Sequence, residues 1–293
     1  MKQILKTLPP RLREGFSVLA PADWDQMEEI RLRPHAPVLL CSARGERELG
    51  EQVLPGELEL TLELAARASI HAVLPQLRRG YLTLQGGHRL GVCGSAVLRE
   101  GEIQAISPLS SLNLRLARQV KGAGEGLMGQ LCPEGEFRSA LILAPPGAGK
   151  TTLLRDIVRC LSDGIGCAPH RVGLADERGE VAALYQGEPQ LEVGRRTDVM
   201  EGCSKADALM LLLRGMNPRV LCADEITEGA DVRAMERSAG CGVALLCTAH
   251  GRDRADLNRR KLYREMMESG IFHTLVTIRG EKGVRRYEVE ELT

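Results

Sequence analysis

The stretch Leu141-Ile-Leu-Ala-Pro-Pro-Gly-Ala-Gly-Lys-Thr-Thr-Leu-Leu-Arg155 decides the fold of this chain. It begins in an apolar run that predicts a buried strand, continues through a Pro/Gly turn, and ends in a Leu-rich segment that predicts an amphipathic helix. A phosphate-binding loop requires this strand–loop–helix order, because small residues let backbone N–H groups turn inward around an anion and the helix directs its positive end at it. The stretch therefore predicts a nucleotide site.

Each residue of the predicted loop has an expected role. Lys150 is expected to reach the β- and γ-phosphates of ATP, and Thr151 to offer its hydroxyl group to Mg²⁺. The other residues expected to surround the phosphates are Pro146, Gly147, Ala148, Gly149 and Thr152. Ala144 replaces the first glycine of the consensus G-x-x-x-x-G-K-[ST], and a loop tolerates this change if the residue keeps a negative φ.

Composition places the chain among ordinary globular proteins. Of 293 residues, 43% are hydrophobic, 27% are charged and only 3% are aromatic, so an aliphatic core is expected and stacking on nucleic-acid bases is not. The net charge of zero disfavours a basic nucleic-acid-binding module. The nine cysteines include no C-x-x-C pair, which favours free thiols in a reducing compartment. The sequence shows neither a signal peptide nor an apolar run of roughly 18 residues, so the chain is expected to be cytoplasmic or at most peripheral to a membrane.

The order of predicted elements divides the chain into two domains. Short strands and turns over residues 1–120 predict a small α+β domain, and the glycine-rich segment 121–136 is predicted to be a linker. Over 137–293 strands alternate with helices, which predicts an α/β domain with a mostly parallel, doubly wound sheet. Two late strands are expected to form a hairpin whose turn lies at 280–283.

Polar residues follow four of the strands predicted in the second domain. Besides the phosphate loop, these are Asp176-Glu177, Asp224-Glu225 and Thr248-Ala-His250. The carboxyl ends of parallel strands meet at one edge of a sheet, so we expect the four clusters to lie together. Asp224 is then expected to hold Mg²⁺, directly or through water.

Two glutamates compete for the role of general base. Glu225 directly follows the expected Mg²⁺ ligand, and Glu177 ends the strand after the phosphate-loop helix. We favour Glu225, with Glu177 orienting the attacking water or acting as a second acid. His250 is expected to hydrogen-bond the γ-phosphate or to report its loss.

Charge that develops on a transferring γ-phosphoryl group usually requires an arginine as well. One pair of candidates is Arg195 and Arg196, in the sequence Gly-Arg-Arg-Thr-Asp. The other pair is Arg115 and Arg118, which we expect three residues apart on one helix face of the first domain. If one of these arginines acts across a subunit boundary, activity requires assembly.

The succession of these motifs resembles the secretion ATPases of type II and type IV systems. The motifs are the phosphate loop, Asp-Glu-Arg at 176–178, Arg-Arg-Thr-Asp at 195–198, Asp-Glu at 224–225 and Thr-Ala-His at 248–250. Those ring ATPases carry an N-terminal domain ahead of a RecA-like domain, so the resemblance implies a RecA-like P-loop ATPase domain at 137–293.

A narrower resemblance is to the stage III sporulation protein AA family of spore-forming bacteria. It is carried by segments 80–89, 106–118, 145–156 and 197–202 and spans nearly the whole chain. It implies an ATPase that works with a membrane channel between mother cell and forespore, on the mother-cell side of the membrane.

The leading interpretation is a hexameric ring of identical subunits that hydrolyses ATP with Mg²⁺ to drive a membrane-embedded export or channel complex. One alternative is a RecA-like motor on nucleic acid, supported by the basic segment 252–264 but weakened by the aspartates within it. Another is a small-molecule P-loop kinase, for which the sequence shows no obvious lid.

Overall fold

A computed structural model of the chain describes residues 4–67, 70–281 and 284–292. It separates into two compact units, each with its own sheet. The first unit comprises Met1–Arg118 and Leu184–Gln190, and the second comprises Gln119–Ala183 and Leu191–Thr293.

The secondary structure is mixed throughout. The strands in chain order are β1 Met27–Leu32, β2 Pro37–Ser42, β3 Gly45–Gln52, β4 Tyr81–Thr83, β5 Arg89–Arg99, β6 Glu102–Arg115, β7 Ala140–Ala144, β8 Val172–Asp176, β9 Leu184–Tyr185, β10 Glu188–Pro189, β11 Thr197–Glu201, β12 Val220–Ala223, β13 Ala244–His250, β14 Thr274–Glu281 and β15 Val284–Glu291. The α-helices are α1 Pro10–Gly15, α2 Pro21–Gln26, α3 Pro55–Ala65, α4 Ile70–Leu77, α5 Met128–Leu131, α6 Lys150–Asp163, α7 Lys205–Met216, α8 Gly229–Gly240, α9 Arg254–Arg259 and α10 Lys261–Glu268. Short 3₁₀ helices lie at Ile4–Thr7, Phe16–Val18, Glu125–Leu127 and Pro133–Gly135.

The first unit is built on an antiparallel sheet. Among the described residues this sheet has six strands, in the order β3-β2-β1-β6-β5-β4. Strands β9 and β10, in the segment Leu184–Gln190, pair only with each other in the part of the chain that the structure describes. One apolar cluster lies between this sheet and the helices of the unit, with Ile30, Leu58 and Leu114 fully buried. The prediction of a helix carrying Arg115 and Arg118 is wrong, because residues up to Arg115 belong to β6 and pair with β1.

The second unit is built on a mostly parallel sheet, as the sequence predicted. In the part of the unit that the structure describes, the strand order is β11-β8-β12-β13-β7-β14-β15, and only β15 runs antiparallel to its neighbour. Strands β7, β8 and β12 are buried throughout, which explains their continuous apolar runs. The predicted α/β fold class is confirmed.

Side-chain alternation along the strands gives this sheet two apolar faces. Leu143, Leu221 and Cys247 lie in one cluster with buried side chains of α7, α8 and α10. Helix α6 contacts β7 and β13 but contributes no residue to that cluster. Because successive strand residues point to opposite faces, α6 covers the other face. The helix that begins at the phosphate loop is therefore fixed against the middle of the sheet.

The segment expected to be a linker, 121–136, differs from the prediction. It contains α5 between two 3₁₀ helices, and Leu127, Met128 and Leu131 are buried. Gly124 packs so closely on α6 that a Cβ atom there would lie 2.7 Å from a side-chain carbon of Ile157. Position 124 therefore needs a glycine because α6 lies so close to its Cα atom, not because the chain needs to be flexible there. The three-part domain division as a whole stays a prediction.

Two further expectations concern the ends of elements and the membrane. The predicted hairpin is formed by β14 and β15, but residues 282 and 283 of its expected turn lie outside the described residues. Over the described ranges, none of the helices combines the length and apolar character required to cross a bilayer.

We predict that removing the carboxylate of Asp156 destabilises the second unit, because its partners stay buried. Its buried carboxylate accepts hydrogen bonds from the backbone N–H of Gly124 (2.8 Å) and from Nε of Arg159 (2.9 Å). Asp156→Ala removes one of the two carboxylates that pair with the buried guanidinium of Arg159, the other being Glu125 at 2.7 Å, and leaves the buried N–H of Gly124 without its acceptor. The free energy of unfolding should therefore fall by about 3 kcal/mol. Urea denaturation measures this difference.

The matched control is Glu236→Ala, which removes an exposed carboxylate from α8. It should change the free energy of unfolding by less than about 0.5 kcal/mol. Equal effects of the two substitutions would show that the Asp156 contacts contribute nothing specific.

Candidate nucleotide-binding site

The predicted phosphate loop connects β7 to α6. Gly147 and Gly149 have φ values of 74° and 100°, in the left-handed region that favours glycine. Ala144 lies within β7 and is fully buried, so its extended backbone accepts a methyl group where the consensus has glycine. Pro146 and Ala148 complete the loop, and Thr152 lies in the first turn of α6. The local structure is the one that the sequence predicted.

Lys150 points back toward the end of β7. Its ammonium group donates to the carbonyl oxygens of Ala144 (3.0 Å) and Pro145 (3.1 Å) and lies 2.8 Å from Nδ1 of His250. Burial lowers the pKa of Lys150, and the carboxylates of Asp224 and Glu225 oppose that shift. The cation is thus held at the sheet edge by groups that a phosphate can replace.

The carboxylate of Asp224 lies between two threonines from different elements. It accepts hydrogen bonds of 2.6 Å from the hydroxyl of Thr151 in α6 and 2.6 Å from that of Thr248 in β13. Burial raises the pKa of Asp224, while these two hydrogen bonds act in the opposite direction.

Thr151 and Asp224 are the residues here that fit a magnesium ion. Hydroxyl and carboxylate oxygens are the ligands that Mg²⁺ prefers, and the ion usually keeps several waters and binds substrate phosphates as well. The described residues contain no group of three or more His, Cys, Asp or Glu side chains arranged to hold a metal.

A row of hydrogen bonds joins Lys150 to Glu225 through His250. Since an ammonium group has only donors, Nδ1 of His250 accepts, and Nε2 carries the proton donated to Glu225 Oε1 over 2.8 Å. The other carboxylate oxygen of Glu225 accepts from Nη1 of Arg178 at 3.1 Å.

Glu225 also has an unusual backbone conformation. Its φ is 55°, and its N–H donates to the hydroxyl of Thr248 over 2.8 Å. A glutamate in the left-handed region is strained, and such strain is concentrated at functional sites. The same threonine hydroxyl therefore orients both Asp224 and the glutamate after it.

Glu177 has different surroundings from Glu225. Its carboxylate is 2.5 Å from Nζ of Lys205, a buried lysine in the first turn of α7 whose Nζ is also 3.8 Å from Asp231. The neighbouring Asp176 accepts hydrogen bonds from the backbone N–H groups of residues 180–182 and so fixes the turn after β8. Both candidate bases pair with a cation: Glu225 with the exposed Arg178 and Glu177 with the buried Lys205. Of the two, Glu225 is the one linked to Lys150, through His250.

The structure does not bring Arg195 and Arg196 to this site. They precede β11, which is parallel to β8, and their backbone N–H groups bond to Asp163 and Ser162 at the C-terminal end of α6. The phosphate loop lies at the opposite end of that helix. Catalysis by these arginines within their own subunit is therefore a wrong expectation, and a role at a neighbouring subunit stays a prediction.

The first-unit arginines hold their own unit together. Arg115 is 3.5 Å from Glu29, and the guanidinium of Arg118 donates to carbonyl oxygens of Trp24, Asp25 and Met27. These carbonyl contacts hold the chain in place at Arg118, where the first segment of the unit ends.

Sequence reasoning missed two cations near the candidate site. Lys205 neutralises Glu177, and Arg285 of β15 lies against Gly149 of the phosphate loop. Neither belongs to a motif, and no sequence signal that we can identify marks them, since their positions depend on which strands and helices become neighbours.

Two solved structures illustrate the similarity of the fold. The ATPase DotB of Yersinia pseudotuberculosis has a TM-score of 0.64 at 14% identity, over 98% of this chain and 81% of that one. The pilus retraction motor PilT, solved with bound ADP, has a TM-score of 0.63 at 16% identity, over 96% of this chain and 82% of that one. The chain therefore shares the fold of these two proteins, with a smaller N-terminal unit ahead of the α/β unit in sequence.

Sequence comparison identifies the family. Residues 1–288 match the family described as "Sporulation stage III, protein AA", and the chain belongs to it. Stage III sporulation protein AA of Bacillus subtilis (strain 168) is 33% identical over 284 residues, which is 97% of this chain and 92% of that protein. The family expected from the sequence is confirmed.

We predict that Asp224→Asn stabilises the nucleotide-free protein at neutral and alkaline pH. Because burial raises the pKa of Asp224 above its ordinary value of 3.8, the folded protein holds this proton to higher pH than the unfolded chain does. As pH rises from the pKa of Asp224 in the unfolded chain to its pKa in the folded protein, the wild type should lose stability relative to the variant. Above that interval the difference in the free energy of unfolding between the two proteins should stay constant.

Chemical denaturation of both proteins across a pH series measures this difference directly. A difference that shrinks with rising pH would contradict the assigned direction. Added Mg²⁺ with ADP should stabilise the wild type more than the variant, because the variant lacks the carboxylate that binds the ion.

Proposed function

We propose that this chain binds ATP with Mg²⁺ at the loop 145–150 and hydrolyses it to ADP and phosphate. The observation that carries the proposal is the joining of Lys150, His250 and Glu225 in one hydrogen-bonded row beside Asp224. In this proposal Lys150 is the cation for the phosphates and Glu225 is the base for water, and the row of hydrogen bonds that joins them supports both roles. The ADP bound to the PilT motor, whose fold is the same, supports the choice of nucleotide.

The residues divide the reaction among them. Lys150 neutralises the β- and γ-phosphates, and Thr151 and Asp224 would hold Mg²⁺, which supplies charge neutralisation at the phosphate oxygens. Glu225 accepts a proton from water as the water oxygen bonds to the γ-phosphorus, and the bond from that phosphorus to the bridging oxygen breaks. The bridging oxygen leaves with its electron pair on ADP.

His250 links nucleotide binding to the base. A γ-phosphate competes with His250 and the two carbonyl oxygens for the ammonium group of Lys150. When the phosphate takes that ammonium, Nδ1 of His250 loses its donor, and the hydrogen bond from Nε2 to Glu225 is free to change. This exchange gives His250 the reporting role expected from the sequence.

We further propose that the active form is a ring of identical subunits, hexameric by analogy, that drives a membrane-embedded channel or export complex. The sporulation name of the Bacillus subtilis relative and the role of PilT as a pilus retraction motor support this proposal. The ring would act on the mother-cell face of the membrane, between mother cell and forespore. The position of Arg195 and Arg196 also supports assembly, since in their own subunit they lie at the far end of α6.

The structure gives less support to a nucleic-acid motor than the sequence alone did. Three of the six basic side chains in segment 252–264 pair with carboxylates: Arg254 with Glu290 at 2.7 Å, Arg260 with Asp256 at 3.5 Å and Lys261 with Glu265 at 3.8 Å. Compensated charges release few counterions from a polyanion, so strong electrostatic binding to nucleic acid is not expected.

We predict that Glu225→Gln lowers ATP turnover at least about 100-fold while ATP stays bound, because the amide cannot accept the proton of water. Glu177→Gln should lower turnover by less than about tenfold, since that carboxylate is neutralised by Lys205. Single-turnover assays and retention of radiolabelled ATP through gel filtration separate the two effects. Trapping of ATP by Glu177→Gln alone would reassign the base.

The control for these variants is Lys150→Ala. It should neither hydrolyse nor retain ATP, because it removes the ammonium group at the centre of the site. Turnover near the wild-type rate in this variant would place hydrolysis at another site and overturn the proposed function.

We predict that ATPase activity per subunit rises at least tenfold as protein concentration increases, if a neighbour supplies the arginine. Mixing Arg196→Ala with Glu225→Gln, each inactive alone, should then restore activity, because some interfaces combine an intact base with an intact arginine. Constant specific activity down to dilute protein, with no restoration on mixing, would argue for a self-sufficient subunit.

A further inference from the structure

The C-terminal hairpin brings an arginine to the phosphate loop. Strand β14 runs parallel to β7, so its carboxyl end lies at the same edge of the sheet as the loop. Strand β15 returns antiparallel from that edge, with Arg285 opposite Gly280. The start of β15 is therefore the part of the hairpin nearest to the nucleotide site.

The guanidinium group of Arg285 fills the space beside Gly149. A Cβ atom built on Gly149 would lie 2.7 Å from Cζ, 2.9 Å from Nε and 3.0 Å from Nη2 of Arg285. Real Cβ atoms do not approach other atoms so closely, so the contact needs a residue without a side chain. Gly149 thus serves two purposes: its φ of 100° shapes the loop, and its bare Cα admits the arginine.

Among the residues that the structure describes, Arg285 forms no ion pair, and its side chain is exposed. It shares the neighbourhood of the loop with Lys150, whose charge is of the same sign. Two cations that converge on one loop favour an anion there, and a guanidinium group presents the planar donor pair that matches phosphate oxygens.

We propose that Arg285 binds the terminal phosphates of the nucleotide held by the loop 145–150. The proposal rests on the proposed function, and it adds a phosphate ligand from a strand that follows every motif of the site. Through it the β14–β15 hairpin is tied to the nucleotide, so that loss of the phosphates releases the arginine.

The adjacent residue provides a matched control. Arg286 carries the same charge and the same exposure, but alternation along β15 places it on the opposite face of the hairpin, where it is paired in register with Arg279. Arg285→Ala and Arg286→Ala therefore make the same change in net charge and differ only in the face that loses it.

The experiment measures the affinity of a fluorescent ADP analogue with Mg²⁺, and of unlabelled ATP by competition, for the wild type, Arg285→Ala, Arg285→Lys, Arg286→Ala and Lys150→Ala. Loss of one charge-assisted contact should raise Kd for both nucleotides about tenfold or more in Arg285→Ala. Arg285→Lys should fall between Arg285→Ala and the wild type, and Arg286→Ala should match the wild type.

Different failures are distinguishable in this series. If the wild type and Lys150→Ala bind equally poorly, the nucleotide site itself is wrong and the inference falls with it. If Lys150→Ala loses binding but Arg285→Ala matches Arg286→Ala, only the role of Arg285 is overturned. Thermal unfolding of each variant checks folding, and if Arg285→Ala does not fold, a Kd of Arg285→Lys equal to that of the wild type overturns the proposal.

Discussion

The parallel pairing of β7, β13 and β12 is the constraint on which the candidate site depends. In this register Ala144 lies beside His250, and Ala223 lies beside Cys247, so Thr248 faces the residue after β12. Strand β13, which carries Thr248 and His250, thus lies between the phosphate loop after β7 and the acidic pair Asp224-Glu225 after β12. Its threonine and histidine connect Lys150 on one side with Asp224 and Glu225 on the other. A shift of one residue would turn these side chains to the other face of the sheet.

Charged side chains in this unit are buried only where they have partners. Asp156 and Arg159 bond to each other and to the backbone or side chain of the segment before β7. Arg155 donates to the carbonyl oxygens of residues 180 and 181, in the turn whose N–H groups bond to Asp176. Ion pairs of this kind add little net stability compared with apolar packing, but they fix the position of the groups they join. Here they anchor α6 and the turn after β8 around the phosphate loop.

The likeness to DotB and PilT shows how far a fold constrains function. At 14% and 16% identity it defines the layers and the strand order, while the chemistry depends on which side chains end the strands. In this chain Asp224, Glu225 and His250 lie at the strand ends beside Lys150, and the hydroxyls of Thr151 and Thr248 bond to Asp224 and to the N–H of Glu225. ATP hydrolysis is therefore proposed from these side chains. Membership of the sporulation family suggests the cellular setting of the proposed activity.

The sequence by itself determined the features that depend on neighbouring residues. The strand–loop–helix unit, the acids after β8 and β12 and the threonine and histidine of β13 were all readable, because each is a short apolar run followed by polar residues. The tertiary structure decided what depends on distant pairing. It alone assigned Lys205 to Glu177, brought Arg285 to Gly149 and placed Arg195 and Arg196 at the far end of α6. A sequence pattern shows where an element ends, but it does not show which edge of the sheet that end occupies or which side chain from another element arrives there. Those positions are set by strand order and register, and both result from the packing of the whole unit.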